Sequence, residues 1–122
     1  MRRSALVLLA LLVLVASNPA SGKSGFSGNY TVKGTNPGVG AYSGVLTIAA
    51  RGDAYDVYWN IANTQYVGVG LASGDTISVA YTGGDKTWIG IATYHQRADG
   101  TLDGRWTVGG VGKVGTETAV RK

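Results

Sequence analysis

The chain has 122 residues, with 11 lysines and arginines against seven aspartates and glutamates, one histidine and no cysteine. A small domain without disulfides depends on its apolar core and its backbone hydrogen bonds. The basic residues are scattered and form no stripe that would follow a phosphate backbone, which argues against nucleic acid as a partner.

The first 22 residues have the pattern of a secretory signal peptide. Arg2 and Arg3 precede an unbroken apolar run from Ala5 to Ala16, which has 12 residues. A helix that spans a bilayer needs about 20 apolar residues, whereas the apolar core of a signal peptide has roughly 7–15. We therefore expect residues 1–22 to be removed on export, with a retained anchor helix as the alternative.

Small residues after the apolar run offer cleavage sites after Ser17, Ala20 or Gly22. The expected mature protein, residues 23–122, is long enough for one domain. Without Arg2 and Arg3, nine basic residues remain against seven acidic ones, a net charge of +2. We expect this domain in the periplasm or outside the cell, with no stable membrane span.

The mature chain alternates apolar and polar residues with a period of two, which indicates strands. We expect strands at 29–33, 42–50, 55–61, 65–71, 76–81, 87–95, 101–108 and 113–120. Six of the seven connections are short and contain Gly, Asp or Asn, which favours antiparallel neighbours. The pattern predicts an all-β fold, an eight-stranded antiparallel up-and-down meander barrel, with a β-sandwich as the alternative.

One connection, GTNPGVGA at residues 34–41, is longer than the others. Pro37 and Gly38 suit the central positions of a type II turn. We expect this segment to fold over one mouth of the barrel as a lid or as a plug, with Tyr30 and Tyr42 packed beneath it. Candidate residues for a ligand or partner site are Tyr30, Asn36, Pro37, Tyr42 and Trp88.

Apolar residues that share a face of each strand predict the core. We assign the core to Trp59, Trp106, Leu46, Ile48, Val57, Val69, Ile77 and Val79. Trp88 stands at the start of a predicted strand, where an indole either stacks on a ligand or covers the end of the core. Tyr58 and Tyr66 alternate out of phase with the apolar positions, so we expect both on the outer surface.

Candidate chemistry is sparse. His95 and Asp99 lie near each other in sequence, but nothing specifies a nucleophile for them to activate. Asp53, Asp75, Asp85 and Asp99 each adjoin a glycine, which is typical of turn aspartates that hydrogen-bond their own backbone. We therefore expect no catalytic residues, no metal site and no cofactor. The polar outward positions also argue against a membrane barrel.

Several stretches together resemble a family of small exported bacterial proteins, some of which carry a fibronectin-binding label. The stretches are GNYTVKGTNP, YSG, SGD, DGTLDGRWT and GTE, between Gly28 and Glu117. Members of that family often have a cysteine pair near the third and fourth strands, which this chain lacks. The opening Gly28-Asn29-Tyr30 is also loosely similar to the first strand of lipocalin and avidin barrels, which place Trp where this chain has Tyr.

These observations favour an exported, non-enzymatic binding or interaction module. Its ligand or partner is either a host-matrix protein such as fibronectin, as the family label implies, or a small apolar molecule. An inhibitor of an exported enzyme is the alternative, and it predicts a rigid projecting terminus or loop without a cavity. A hydrolase based on His95 is the remote alternative.

Overall fold

The computed structural model describes residues 25–122, so the predicted signal peptide, residues 1–22, lies outside the described residues. The described chain forms eight strands and no helix. The strands are β1 (Gly28–Asn36), β2 (Gly40–Arg51), β3 (Ala54–Ile61), β4 (Thr64–Ser73), β5 (Thr76–Gly83), β6 (Gly90–Gln96), β7 (Leu102–Val108) and β8 (Gly115–Arg121). All eight correspond to predicted strands, and most extend a few residues beyond the predicted limits.

Each strand pairs antiparallel with the next, and β8 pairs with β1 to close the barrel. The closing register runs from Tyr30 opposite Arg121 to Thr35 opposite Thr116. The predicted up-and-down barrel is therefore confirmed, and the β-sandwich alternative is wrong. Closure leaves no strand edge unpaired, which stabilises a small sheet that has no disulfide.

The barrel has two unlike ends. The connections after β2, β4 and β6 and the N-terminal segment lie at one end, which we call the closed end. The connections after β1, β3, β5 and β7 lie at the other, which we call the open end. At the open end, Ala62 and Asn63 connect β3 to β4 with φ values of 51° and 66°. These angles give the two-residue turn that matches the twist of a hairpin.

The segment Gly25–Ser27 fills the closed end. Phe26 is buried and its ring lies 6.1 Å from that of Tyr55 in an edge-to-face contact. The Tyr30 hydroxyl donates a hydrogen bond to the carbonyl of Phe26 at 2.6 Å. The Arg121 guanidinium donates to the carbonyls of Gly25 and Ser27. These contacts hold the segment across the barrel and leave Tyr30 fully buried.

Most of the predicted core is confirmed. Six of the eight assigned residues are buried: Leu46, Ile48, Val57, Trp59, Ile77 and Val79. Trp106 is half-buried and packs against this cluster from the open end. Val69 is 61% exposed, so its assignment to the core is wrong.

The inner face of β4 is the opposite of the one predicted. Gly68 and Gly70 face the interior, and the apolar residues Val69 and Leu71 face outward. A Cβ at Gly68 would lie 2.9 Å from a methyl of Val79, and one at Gly70 would lie 3.1 Å from Ile77. The side chains of Val79 and Ile77 on β5 therefore leave room only for glycines on the inner face of β4. The apolar side chains of Val69 and Leu71 lie on the outer face.

The reversed face of β4 can be tested with a matched pair of truncations. Leu71→Ala is expected to change the free energy of unfolding by less than about 0.5 kcal/mol because Leu71 is 68% exposed. Leu46→Ala is expected to cost about 2–5 kcal/mol because Leu46 is fully buried. Urea unfolding of both variants measures the difference, and equal losses would contradict the assigned face.

The connection predicted over residues 34–41 is shorter in the structure. β1 and β2 continue as a hairpin until Asn36 pairs with Gly40, and only Pro37, Gly38 and Val39 form the turn. Gly38 has a φ of 75°, which fits its predicted place in the turn. Val39 at the tip is 84% exposed. The segment thus stands up as a projecting hairpin, and the prediction of a covering loop is wrong.

Candidate functional site

A cavity of about 290 Å³ occupies the interior at the open end. Twelve residues line it, and seven of these are aromatic. They are Asn36, Tyr42, Trp59, Ile61, Tyr66, Tyr81, Trp88, Ala92, Tyr94, Trp106, Val108 and Glu117. All eight-stranded barrels have interiors of limited width, and one that is not filled by side chains has room for a single small ligand.

Glycines on neighbouring strands provide the space for the cavity's rings. Five cavity aromatics lie directly across from a glycine, and a Cβ there would overlap the ring. The pairs are Tyr42 with Gly34, Tyr66 with Gly83, Tyr81 with Gly90, Tyr94 with Gly104, and Trp106 with Gly115. Strand glycines commonly mark such close approaches. The strand glycines therefore leave the space that these five rings occupy.

Ring contacts join four of the aromatics into one continuous wall. The rings of Trp59 and Tyr81 are 5.2 Å apart, and those of Tyr81 and Trp88 are 5.8 Å apart at 82°. Tyr66 extends the wall from Trp88 at 6.2 Å. The contact between Tyr81 and Trp88 is edge-to-face and the other two are tilted, and aromatic pairs of this kind contribute roughly 0.5–1.5 kcal/mol each. The wall is thus set before any ligand arrives.

A second ring contact lies beside β1 and β8. The rings of Tyr42 and Trp106 are 6.3 Å apart. The Nε1–H of Trp106 is buried and lies near the Tyr42 hydroxyl, but no acceptor meets it in hydrogen-bonding geometry. The Tyr42 hydroxyl gives its own proton to Glu117 instead.

The connection between β5 and β6 places Trp88 at the mouth. Asp85 accepts hydrogen bonds from the amide and the hydroxyl of Thr87 at 3.0 and 2.7 Å, and these bonds lower the pKa of the Asp85 carboxyl. The Thr82 hydroxyl donates to the Trp88 carbonyl at 2.6 Å. These hydrogen bonds fix residues Thr87–Ile89, which the sequence predicts as part of a strand, in the connection between β5 and β6. The connection places the Trp88 indole over the cavity.

The carboxylate of Glu117 lies at the floor of the cavity and is 4% exposed. Its Oε1 accepts a hydrogen bond from the Tyr42 hydroxyl at 2.6 Å. Its Oε2 accepts from the Tyr94 hydroxyl and, at 3.2 Å, from Trp59 Nε1. Three donors from β2, β3 and β6 thus converge on the only glutamate in the sequence.

Burial is the main influence on the ionisation of this group. Desolvation raises the pKa of the Glu117 carboxyl above its usual value, and the hydrogen bonds from Tyr42, Tyr94 and Trp59 offset part of that rise. The negative charge in turn disfavours ionisation of nearby phenols. Burial, followed by the charge of Glu117, raises the pKa of Tyr81 to about 12 and raises the pKa of Tyr94 well above its usual value.

The raised pKa of Glu117 predicts a pH dependence of stability. The folded state holds the Glu117 proton more tightly than the unfolded state, so stability from this group is full below the unfolded pKa near 4.5. It is lost as the pH rises through the folded pKa. As the pH rises above about 4.5, the wild-type free energy of unfolding, relative to that of Glu117→Gln, should therefore fall. A difference that is constant or rises with pH would contradict the raised pKa.

The structure brings together three of the five predicted site residues. Asn36, Tyr42 and Trp88 line the cavity. Pro37 lies at the tip of the hairpin, outside the lining. Tyr30 is buried at the closed end beneath Arg121, whose guanidinium lies 5.0 Å from the ring centroid. The prediction that Tyr30 and Tyr42 pack under one segment is therefore wrong for Tyr30.

Other cavity residues were missed or misplaced by the sequence analysis. Tyr66, predicted on the outer surface, lines the cavity, whereas Tyr58 is exposed as predicted. Glu117 was not identified. Its signal is weak but present, because Gly115, Glu117 and Ala119 share the buried face of β8. A face of small residues beside one acidic residue leaves room for rings from the strands opposite.

The predicted turn aspartates behave as expected where the structure gives their contacts, since Asp99, like Asp85, accepts a bond from an amide two residues later. His95 is exposed on the outer face of β6. Within residues 25–122, no group of three or more His, Cys, Asp or Glu side chains is placed to hold a metal ion. No helix in that range is long and apolar enough to cross a membrane.

No protein-family model matches the sequence, and no curated protein is significantly similar to it. The resemblance to exported bacterial barrels therefore stays a prediction.

Proposed function

We propose that this protein is an exported, non-enzymatic binding protein that takes one small organic molecule into the open end of its barrel. The observation that carries the proposal is the cavity of about 290 Å³, walled by seven aromatic residues and floored by a hydrogen-bonded carboxylate. Small-molecule sites are typically concave and mostly apolar, with a few placed polar groups. This cavity has that composition.

The size and position of the cavity limit the ligand. A volume near 290 Å³ lies at the lower limit of the usual range for ligand pockets, which suits a molecule of one to three rings. The closed end is blocked by Phe26 and Gln96, which are both buried. A ligand therefore enters from the open end, past Trp88.

The cavity also bears on the other candidate functions. An enzyme inhibitor would present a projecting terminus or loop and no cavity. The β1–β2 hairpin projects, but the barrel beneath it contains a cavity. A hydrolase based on His95 gains no support, because the imidazole lies on the outer face, away from the cavity. Contact with a matrix protein stays a prediction from the family resemblance.

The proposal is tested by titration with N-phenyl-1-naphthylamine, an uncharged fluorescent probe of two ring systems. We expect saturable binding of one probe per protein, with increased probe emission. Ala92→Phe fills the cavity from β6 and should abolish binding, because Ala92 is a buried lining residue. Ile91→Phe is the matched control, since Ile91 is 58% exposed on the outer face. It should bind the probe as the wild type does.

A second blocking variant guards against a folding defect in Ala92→Phe. Val108→Phe adds bulk to the cavity lining at a half-buried position, whereas Ala92 is buried. Absence of probe binding to the folded wild-type protein would overturn the proposal. So would equal binding by the folded wild-type, Ala92→Phe and Val108→Phe proteins.

A further inference from the structure

The charge of the cavity is unbalanced. Glu117 is the only charged side chain among the described lining residues. The ion pairs found in residues 25–122 join Arg51 to Asp56 and Arg97 to Asp103, both at the surface. Neither includes Glu117, so its charge is stabilised only by neutral donors. A buried carboxylate without a cation costs free energy that a positively charged partner would offset.

The arrangement of the donors keeps the carboxylate directed at the cavity. Tyr42 holds Oε1 from one side, while Tyr94 and Trp59 hold Oε2 from the other. The Tyr94 hydroxyl also accepts a hydrogen bond from Trp59 Nε1 at 3.1 Å. A carboxylate has about four acceptor positions, and three donors leave one of them unused. The side chain is thus oriented but has capacity for a further donor.

The walls suit a cation as well. The faces of aromatic rings are electron-rich and attract ammonium groups that lie within about 6 Å of the ring centroid. Trp59, Tyr81, Trp88 and Tyr66 form one continuous wall, and Tyr42 and Trp106 form a second contact. No lysine or arginine occupies the space between them in the described chain. Aromatic rings around a carboxylate that has no cationic partner form a site that favours organic ammonium ions.

We propose that the cavity selects an organic cation, an amine or quaternary ammonium group on a small apolar body, with Glu117 as its counter-charge. The inference rests on the proposed function, because it specifies the chemistry of the same ligand. A preference for cations would not arise from long-range attraction between the ligand and the protein surface. The expected mature chain has a net charge of +2, which repels cations at long range.

The test compares two molecules of the same shape. The 4-hydroxyphenyltrimethylammonium ion and 4-tert-butylphenol differ only in a nitrogen for a carbon and in the positive charge that follows. Each is used to displace N-phenyl-1-naphthylamine from the wild-type protein. We expect the cation to bind at least about tenfold more tightly. Equal affinities, or a tighter uncharged phenol, would overturn the proposal without the use of any variant.

Two variants test the source of the preference. Glu117→Gln keeps the size of the side chain and one oxygen acceptor, and it should reduce the preference to below about threefold. Trp88→Leu keeps an apolar group at the mouth and removes a ring face. It should weaken binding of the cation more than binding of 4-tert-butylphenol, because only the cation is attracted by the electron-rich ring face. A preference that survives in both folded variants would contradict the assigned roles.

Failure of this inference is distinct from failure of the proposed function. If N-phenyl-1-naphthylamine binds and the cation does not displace it, the proposal of a cation is wrong and the binding function stands. If N-phenyl-1-naphthylamine does not bind the folded protein, the proposed function itself is wrong.

Discussion

Trp59→Ala is expected to lower the free energy of unfolding by about 3–5 kcal/mol, the usual cost of truncating a buried tryptophan. Trp59 is 5% exposed and belongs to the main core cluster. Its loss also removes a ring partner of Tyr81 and a hydrogen-bond donor to Glu117. Chemical denaturation monitored by far-ultraviolet circular dichroism measures the change without depending on the indole signal.

The control for this variant is Tyr58→Ala on the same strand. Tyr58 is 40% exposed on the outer face, so its truncation should cost less than about 1 kcal/mol. If the two variants lose similar stability, β3 does not direct Trp59 into the interior as described. Trp59→Phe separates packing from hydrogen bonding, because it keeps a ring but cannot donate to Glu117.

Phe26→Ala should have an effect of similar size, about 3–5 kcal/mol, although Phe26 lies outside the strands. The side chain is 4% exposed, and its backbone carbonyl accepts the hydrogen bond of the buried Tyr30 hydroxyl. Truncation opens the closed end and exposes Tyr55 and Tyr30 to water. Urea unfolding at constant pH measures the loss.

Phe26→Leu serves as the matched control because it retains a large apolar side chain at the closed end. It should lose less than about 1.5 kcal/mol. If Phe26→Ala unfolds at nearly the same urea concentration as the wild type, the segment Gly25–Ser27 does not dock across the barrel, and the closed end is open to solvent.

The fold could be predicted because local signals agreed with the tertiary structure. Alternation gave eight strands, and short Gly and Asp turns required antiparallel neighbours. The face of β4 could not be predicted from alternation alone. Val67, Val69 and Leu71 look like a core stripe, but the interior at that height is already occupied by Val79 and Ile77. Only the packing of β5 against β4 decides which face turns inward.

The site was predicted only in part, for a similar reason. Trp88 and Tyr42 could be assigned to the mouth because they flank turns at the open end. Glu117 could not be assigned to the site, because its partners Tyr94 and Trp59 lie on other strands, far from it in the sequence. The sequence of segment 34–41 predicts a long loop because Gly and Pro commonly end strands. In the barrel, Gly34 continues β1 and makes room for the ring of Tyr42.

The indole N–H signals of the protein test the central claim most directly. The chain has three tryptophans, and Trp59, Trp88 and Trp106 all line the cavity. In two-dimensional nitrogen–proton NMR spectra, addition of 4-tert-butylphenol should shift all three indole signals and leave the backbone amide signals of Val69 and Leu71 on the outer face in place. Shifts confined to Val69 and Leu71, with the three indole signals unmoved, would contradict a binding cavity inside the barrel.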